Sequence, residues 1–126
     1  MLNRSPLVCF IATADAECAK TFYRDRLGLP LLHDGGYALV FDANGTQLRI
    51  QRVDKVAPHP YTALGWEVED IVATVRALAA AGIATARFPS LPLDDDGIWS
   101  TPDGARVAWL RDPDGNTLSL SQPPRP

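Results

Sequence analysis

Histidine, cysteine and basic runs are scarce in this chain, and each scarcity excludes a class of function. His33 and His59 are its 2 histidines, one in a predicted strand and one beside prolines. A lone imidazole in such a linker is a surface residue more often than a ligand, and neither histidine neighbours a Ser or Cys in sequence to suggest a nucleophile triad. Cys9 and Cys18, the 2 cysteines, lack Cys-x-x-Cys spacing. One falls in an apolar strand and the other in a helix, which predicts buried, reduced thiols rather than a disulfide or redox pair. Lys plus Arg number 12 against 15 Asp plus Glu, a net charge of −3 with no basic run, so no nucleic acid is expected as a partner. The apolar run near the N-terminus is about six residues, too short for a signal h-region or a membrane span. A soluble, cytoplasmic protein with no membrane association is expected. Gly-x-Gly-x-x-Gly, Walker and Gly-x-Ser-x-Gly signatures are also missing, which removes the common nucleotide-binding and hydrolase motifs.

What the chain has is a repeat. Arg111-Asp112-Pro113-Asp114-Gly115-Asn116-Thr117-Leu118-Ser119-Leu120 lies over Phe41-Asp42-Ala43-Asn44-Gly45-Thr46-Gln47-Leu48-Arg49-Ile50 without a gap. Asp42 meets Asp112, Asn44 meets Asp114, Gly45 meets Gly115, Leu48 meets Leu118 and Ile50 meets Leu120. Asx side chains cap their own backbone, Pro113 presets φ, and Gly45 and Gly115 supply the positive φ of a hairpin turn. The alternation that follows puts Leu48 and Ile50 on one strand face and Gln47, Arg49 and Gln51 on the other. In the second copy Leu118 and Leu120 oppose Thr117, Ser119 and Ser121. One face packs and the other is polar, as in a sheet lining a wet cavity.

The order around the repeat is the same in both halves. A strand over residues 7–12 leads to Asp15, an N-cap for a helix to Leu27 that Gly28 closes, with Phe22 and Tyr23 packing beneath the sheet. Strands over 30–33, 36–42 and 47–52 follow, then a linker over 53–60. The second half has strand 62–68, with Leu64, Trp66 and Val68 on one face. Asp70 then caps a helix with an apolar stripe of Ile71, Val75 and Leu78 that ends at Gly82. Strand 83–88, a flexible acidic loop over 89–97, and strands 106–110 and 117–121 complete it. Asp94-Asp95-Asp96-Gly97 lacks the alternate spacing and distal Glu of an EF-hand, so a solvated loop is expected there. With 126 residues the chain suits a single domain, 1–126, made of two modules, about 7–52 and 61–122. The fold class is α+β, an internal duplication rather than a solenoid. Two such sheets side by side form a U-shaped, mixed-sheet cup with helices outside.

These features resemble the vicinal oxygen chelate superfamily, which contains glyoxalase I, the bleomycin resistance proteins and extradiol dioxygenases. The resemblance rests on the paired strand-helix-three-strand modules, Phe22-Tyr23 before Leu27-Gly28, Trp66-Glu67-Val68 running into Asp70, and Asp112-Pro113-Asp114-Gly115-Asn116. It implies paired βαβββ modules around a ligand cavity, usually in a homodimer. It also implies, for the metal enzymes, His and Glu ligands on the first and fourth strand of each module. Carried over by motif, the four ligand positions are Val8, Arg49, Ala63 and Ser119, none a usual metal ligand. No metal and no cofactor are expected.

If the register holds, the cavity face collects Val8, Phe10 and Ala12, then Gln47, Arg49 and Gln51. From the second module it collects Ala63, Gly65 and Glu67, with Thr117, Ser119 and Ser121. Arg49 and Glu67 are the informative residues, because a charge on such a face is costly unless it is paired or meets a ligand. They either pair with each other or, for Arg49, offer a planar fork to a carboxylate, phosphate or vicinal oxygens. Trp99 and Trp109, flanking Pro102-Asp103-Gly104, either line the rim and stack on a planar ligand or pack in a core or dimer contact. The leading expectation is a metal-independent, homodimeric protein binding a small molecule through Arg49, Glu67, Phe10, Gln47, Gln51, Ser119, Trp99 and Trp109. The alternative is an enzyme, a lyase, isomerase or dioxygenase relative with an atypical or absent metal site, or a metal-free catalyst using Arg49 and Glu67. A collapsed structural or regulatory module is the third reading.

Overall fold

A computed structural model describes residues Met1–Pro126, which fall into two compact units, 1–57 and 58–126. Each is built on one four-stranded mixed sheet. In the first unit the strands are β1 (Val8–Thr13), β2 (Leu31–Asp34), β3 (Ala38–Ala43) and β4 (Thr46–Arg52), in the order β1-β4-β3-β2. In the second they are β5 (Leu64–Glu67), β6 (Trp99–Ser100), β7 (Arg106–Arg111) and β8 (Thr117–Gln122), in the order β5-β8-β7-β6. Each sheet therefore pairs its first and last strand in parallel and the rest antiparallel. The internal repeat read from the turns is a repeat of topology.

The first turn is the tighter of the two. Ala43 and Thr46 close the β3/β4 ladder across two residues, Asn44 and Gly45, both with positive φ, 53 and 93. That is the turn geometry whose twist matches a hairpin. The second turn spans Asp112 to Asn116 between ladder partners Arg111 and Thr117. Here the Asp112 carboxylate accepts from the backbone N–H groups of Asp114 and Asn116 at 3.0 and 2.9 Å, and from the Asn116 side chain at 2.9 Å. Asp42 does the same for Gly45 at 2.7 Å.

The helices begin where the carboxylates stand. Asp15 accepts from the Cys18 N–H and opens α1 (Ala16–Lys20), and Asp70 accepts from the Ala73 N–H and opens α2 (Ile71–Ala80). Each satisfies an orphan donor of the first turn. The α2 start has a second cap from outside the helix, since the buried Gln122 side chain of β8 accepts from the Ile71 N–H at 2.9 Å. After Lys20 the first helix widens into a π-helical stretch, Thr21–Arg26, with Leu27 N–H bonded to Phe22 C=O. A wider turn places successive side chains less than the α-helix's ~100° apart. Neighbouring Phe22 and Tyr23 can then both turn inward, and both are buried with ring centroids 4.9 Å apart.

The core follows the alternation. Tyr23, Leu39, Phe41, Leu48 and Ile50 in the first unit, and Ile71, Ala108, Leu110 and Leu118 in the second, are almost wholly shielded. Burying each large apolar side chain stabilises the fold by roughly 1.5–3 kcal/mol.

Three expectations need correction. Residues 83–88 are not a strand: only Ala86 bridges to Trp109, and the rest of that β7 edge is taken by Trp99 and Ser100, opposite Val107 and Arg106. Pro89 and Pro92 have no N–H to give a ladder, and the intervening chain leaves the sheet and returns at β6. The acidic segment it contains is held in place. Asp94 accepts from the N–H groups of Asp96 and Ile98 at 2.9 Å each, Arg87 donates to the Asp94 carbonyl, and Thr85 donates to the Asp96 carbonyl. Cys18 is exposed, its thiol 3.2 Å from an Asp15 carboxylate oxygen, because the cap it sits beside faces water; Cys9 is half-buried, and neither is in a disulfide. No helix is long and apolar enough to cross a membrane.

Two outcomes follow from these ties. Asp34 binds Lys20 at 2.8 Å and Arg52 at 2.6 Å, joining α1, β2 and β4. Bonds from Lys20 and then Arg52 hold its carboxyl below the ordinary 3.8. The stability it contributes is present above 3.8 and is lost as pH falls through the lower folded value. Asp34→Asn should lower the melting temperature at neutral pH and converge on the wild type in acid, as thermal denaturation across pH will show. Gly97 has φ +81, and a Cβ there would run into the Thr85 side chain. Gly97→Ala should therefore cost about 1–3 kcal/mol or more, read as a drop in the urea midpoint.

Candidate functional site

The strand registers decide which residues share the open face of each sheet. In the first unit Val8, Phe10 and Ala12 stand opposite Gln47, Arg49 and Gln51, and Arg49 in turn stands opposite Val40. The intervening residues Ile11, Leu48 and Ile50 are buried on the other face. Phe10 is 53% exposed although it lies in mid-strand, so this face is not closed by the unit's own core. A charged group among such neighbours needs support. Arg49 receives it from Gln47, whose Oε1 accepts from Nε at 3.1 Å and from Nη2 at 3.0 Å. The guanidinium carbon also lies 5.7 Å from the Phe10 ring centroid. Gln47 and Phe10 thus position the cation without neutralising it, since no carboxylate of this unit pairs with it. Gln51 lies exposed one row further along, opposite Ala12.

In the second unit the equivalent rows are Ala63 beside Thr117, Gly65 beside Ser119, and Glu67 beside Ser121. A Cβ at Gly65 would stand 2.5 Å from the Ser119 hydroxyl oxygen, so a larger residue there would displace that hydroxyl. The rows continue onto β7 as Trp109 beside Ser119 and Val107 beside Ser121, and Trp99 stands opposite Val107. Trp99 and Trp109 stack on each other, centroids 6.3 Å apart, and Phe88 meets Trp109 edge-on at 5.3 Å. The two tryptophans are therefore part of the sheet face. Glu67 makes no hydrogen bond or ion pair within its unit, and it borders a wide groove of about 570 Å³ beside Glu69, Gln122 and residues 123–126.

Of the residues singled out from sequence, the registers bring Phe10, Gln47, Arg49 and Gln51 onto one face. They bring Glu67, Trp99, Trp109 and Ser119 onto another. Phe88, Tyr61 and Leu91 were not anticipated. They line an open, shallow pocket of about 350 Å³ with Pro60, Thr62, Ser90, Trp109 and Thr117. The signal available for Phe88 and Leu91 was Phe88-Pro89-Ser90-Leu91-Pro92, apolar residues set between prolines that cannot serve a ladder.

A divalent cation does not fit these faces. The first and last strands of both units offer, on their open sides, Val8, Phe10, Ala12, Gln47, Arg49, Gln51, Ala63, Gly65, Thr117, Ser119, Ser121 and one carboxylate, Glu67. No imidazole is among them, and a register shift by two residues along any strand recruits none. Within neither unit do three or more His, Cys, Asp or Glu side chains gather as a metal would require.

Comparison with known proteins agrees with this architecture. The family model for the Glyoxalase/Bleomycin resistance protein/Dioxygenase superfamily matches residues 6–120. No curated protein matches the sequence. Among solved structures, a glyoxalase family protein from Enterococcus faecalis is 23% identical with a TM-score of 0.74, covering 96% of this chain and 99% of its own. A glyoxalase/bleomycin resistance protein from Catenulispora acidiphila is 23% identical with a TM-score of 0.71, covering 94% and 98%. A lactoylglutathione lyase from Agrobacterium tumefaciens is 19% identical with a TM-score of 0.70, covering 94% and 93%. At such identities the likeness bears on the fold alone. The duplicated sheet topology and a family match spanning nearly the whole sequence lead to one conclusion: the chain belongs to the glyoxalase/bleomycin resistance protein/dioxygenase superfamily.

Proposed function

We propose that this protein is a metal-independent binding protein for a small molecule that carries a carboxylate, phosphate or similar oxyanion. The observation that carries the reading is Arg49, a fixed cation on an open sheet face, positioned by Gln47 and Phe10 and left without a carboxylate of its unit. Gln47 occupies the Nε/Nη2 edge of the guanidinium, so an anion meets the Nη1 side of an already oriented fork. Pre-orientation reduces the entropy lost on binding. The apolar neighbours Val8, Ala12 and Val40 lower the local polarity and strengthen the charge-assisted bond. In this reading Arg49 occupies the position where the metal enzymes of the superfamily place a ligand, and it performs the recognition itself.

Binding is favoured over catalysis by the surroundings of Glu67. Its neighbours on the sheet face, Gly65, Ser119, Ser121 and Val107, carry no titratable group to share a proton with it, and Glu69 and Arg125 meet it only along the groove beside the sheet. The homodimer of the reading is supported by Leu7, Leu32 and Tyr37, large apolar or aromatic residues exposed in the first unit. Sedimentation of the 13.7 kDa chain should give twice that mass.

A thermal-shift series with benzoate, short dicarboxylates and inorganic phosphate tests the recognition. At a hundredfold excess over Kd, a binder adds about 2.7 kcal/mol to stability. At least one probe should raise the melting temperature, and Arg49→Ala should abolish that rise while leaving the urea midpoint of the free protein nearly unchanged. Dialysis against EDTA should leave the rise intact. An EDTA-sensitive rise would sink metal independence, and a rise that survives Arg49→Ala would sink the role of Arg49.

A further inference from the structure

Three ladders place a further residue in the row that holds Arg49. Phe10 stands opposite Arg49, Arg49 opposite Val40, and Val40 opposite His33. The row therefore crosses the whole first sheet, from β1 to the outer edge at β2. His33 owes its place to a break in the pairing. Leu31 pairs with Phe41, so an unbroken ladder would set Leu32 opposite Val40 and turn His33 toward the core beside Leu39. The register shifts between Leu31 and His33 instead: Leu32 drops out of the ladder, 59% exposed, and His33 takes the position opposite Val40. An extra residue of this kind re-aims the side chains that follow it.

The same shift fixes the surroundings of His33. It sets Asp34 opposite the buried Leu39, where Lys20 and Arg52 bind it at 2.8 and 2.6 Å. Arg52 Nε also donates to the Gly35 carbonyl at 3.0 Å. The strand is thus tied down directly after His33. The imidazole lies along β2 against the Gly35 backbone, since a Cβ on Gly35 would stand 3.0 Å from Nε2. His33 is exposed and makes no side-chain hydrogen bond or ion pair within its unit. Neutral or protonated, an imidazole keeps at least one N–H to donate.

We infer that His33 is a second recognition point on the Arg49 face, and that the ligand class is an α,ω-dicarboxylate: one carboxylate on Arg49, the other on His33, and the methylene chain over the half-buried Val40 between them. The inference rests on Arg49 being the anion contact. Two strand spacings separate the two residues, roughly 10 Å. Their polar heads lean apart, Arg49 toward Gln47 and Phe10, His33 toward Gly35. With charge-assisted bonds of about 2.8 Å at each end, malonate is too short to bridge them and a chain of about six carbons is long enough. Both contacts are placed before the ligand arrives, Arg49 by Gln47 and His33 by the tied strand, so little freedom is lost on binding.

Calorimetric titration with adipate against hexanoate, and with malonate against acetate, tests the class, because each pair differs by one carboxylate and the pairs differ in span. Adipate should bind at least about tenfold more tightly than hexanoate, and malonate no more than about threefold more tightly than acetate. His33→Ala should erase the adipate preference and leave hexanoate affinity unchanged. Gly35→Ala, whose methyl group displaces the imidazole, should weaken adipate and spare hexanoate. Arg49→Ala should abolish binding of both. Equal affinities of adipate and hexanoate overturn the inference, as does a preference that survives His33→Ala or a malonate gain that matches adipate's. In any of those cases an Arg49-dependent response to hexanoate, benzoate or phosphate leaves the anion site standing and removes only the second contact; absence of every such response removes both.

Discussion

The parallel pairing of first and last strand in each unit is the constraint from which the rest follows. Ile11 is held opposite Ile50 and Trp66 opposite Leu120, so the apolar residues of both strands fall on one face. A slip of a single residue would turn Leu48 and Ile50 to the open side and Arg49 into the core. The cost of burying an unpaired guanidinium, added to the loss of two fully shielded side chains, makes that alternative untenable. The composition of the open face is thus a by-product of how strongly the core face is specified.

Because the two units share this register, their open faces can be compared row by row. Arg49 and Ser119 occupy equivalent places, as do Phe10 and Gly65, or Ala12 and Glu67. The cores have stayed alike in kind, leucine for leucine and isoleucine for leucine, while the open faces have diverged in charge, size and hydrogen-bonding capacity. Divergence there is cheap, since an exposed strand face contributes little to stability compared with fully buried Leu48 or Leu118. One face holds an oriented cation beside an aromatic ring; the other holds a ring cluster and hydroxyls.

The departures from expectation share a cause in local competition between ladder and loop. Around residues 87–98, prolines withhold donors and Asp94 supplies backbone N–H groups with an alternative partner. The sheet edge is then completed by Trp99 and Ser100 from further along the chain. The π-helical stretch after Lys20 is a second compromise, giving up regular α-helical bonding so that adjacent Phe22 and Tyr23 both reach the core. Cys18 is exposed for a simpler reason: it sits in the capped first turn, and the inward positions are taken by Ala19, Phe22 and Tyr23.

Local chemistry determined a great deal by itself. Asp15 and Asp70 mark the helix starts, Asn44-Gly45 marks a two-residue hairpin, and strict alternation separates Leu48 and Ile50 from Gln47 and Arg49. Each of these signals acts within a few residues, so no knowledge of distant partners is needed to read it. What only the tertiary structure decided lies between residues far apart in the chain. It brought Gln122 to the start of α2 and Trp99 to the β7 edge abandoned after Ala86, and it set Phe88, Leu91 and Tyr61 around Trp109. Those contacts depend on which segment wins a shared position against its competitors, and that contest is settled by packing and hydrogen-bond satisfaction across the whole sheet.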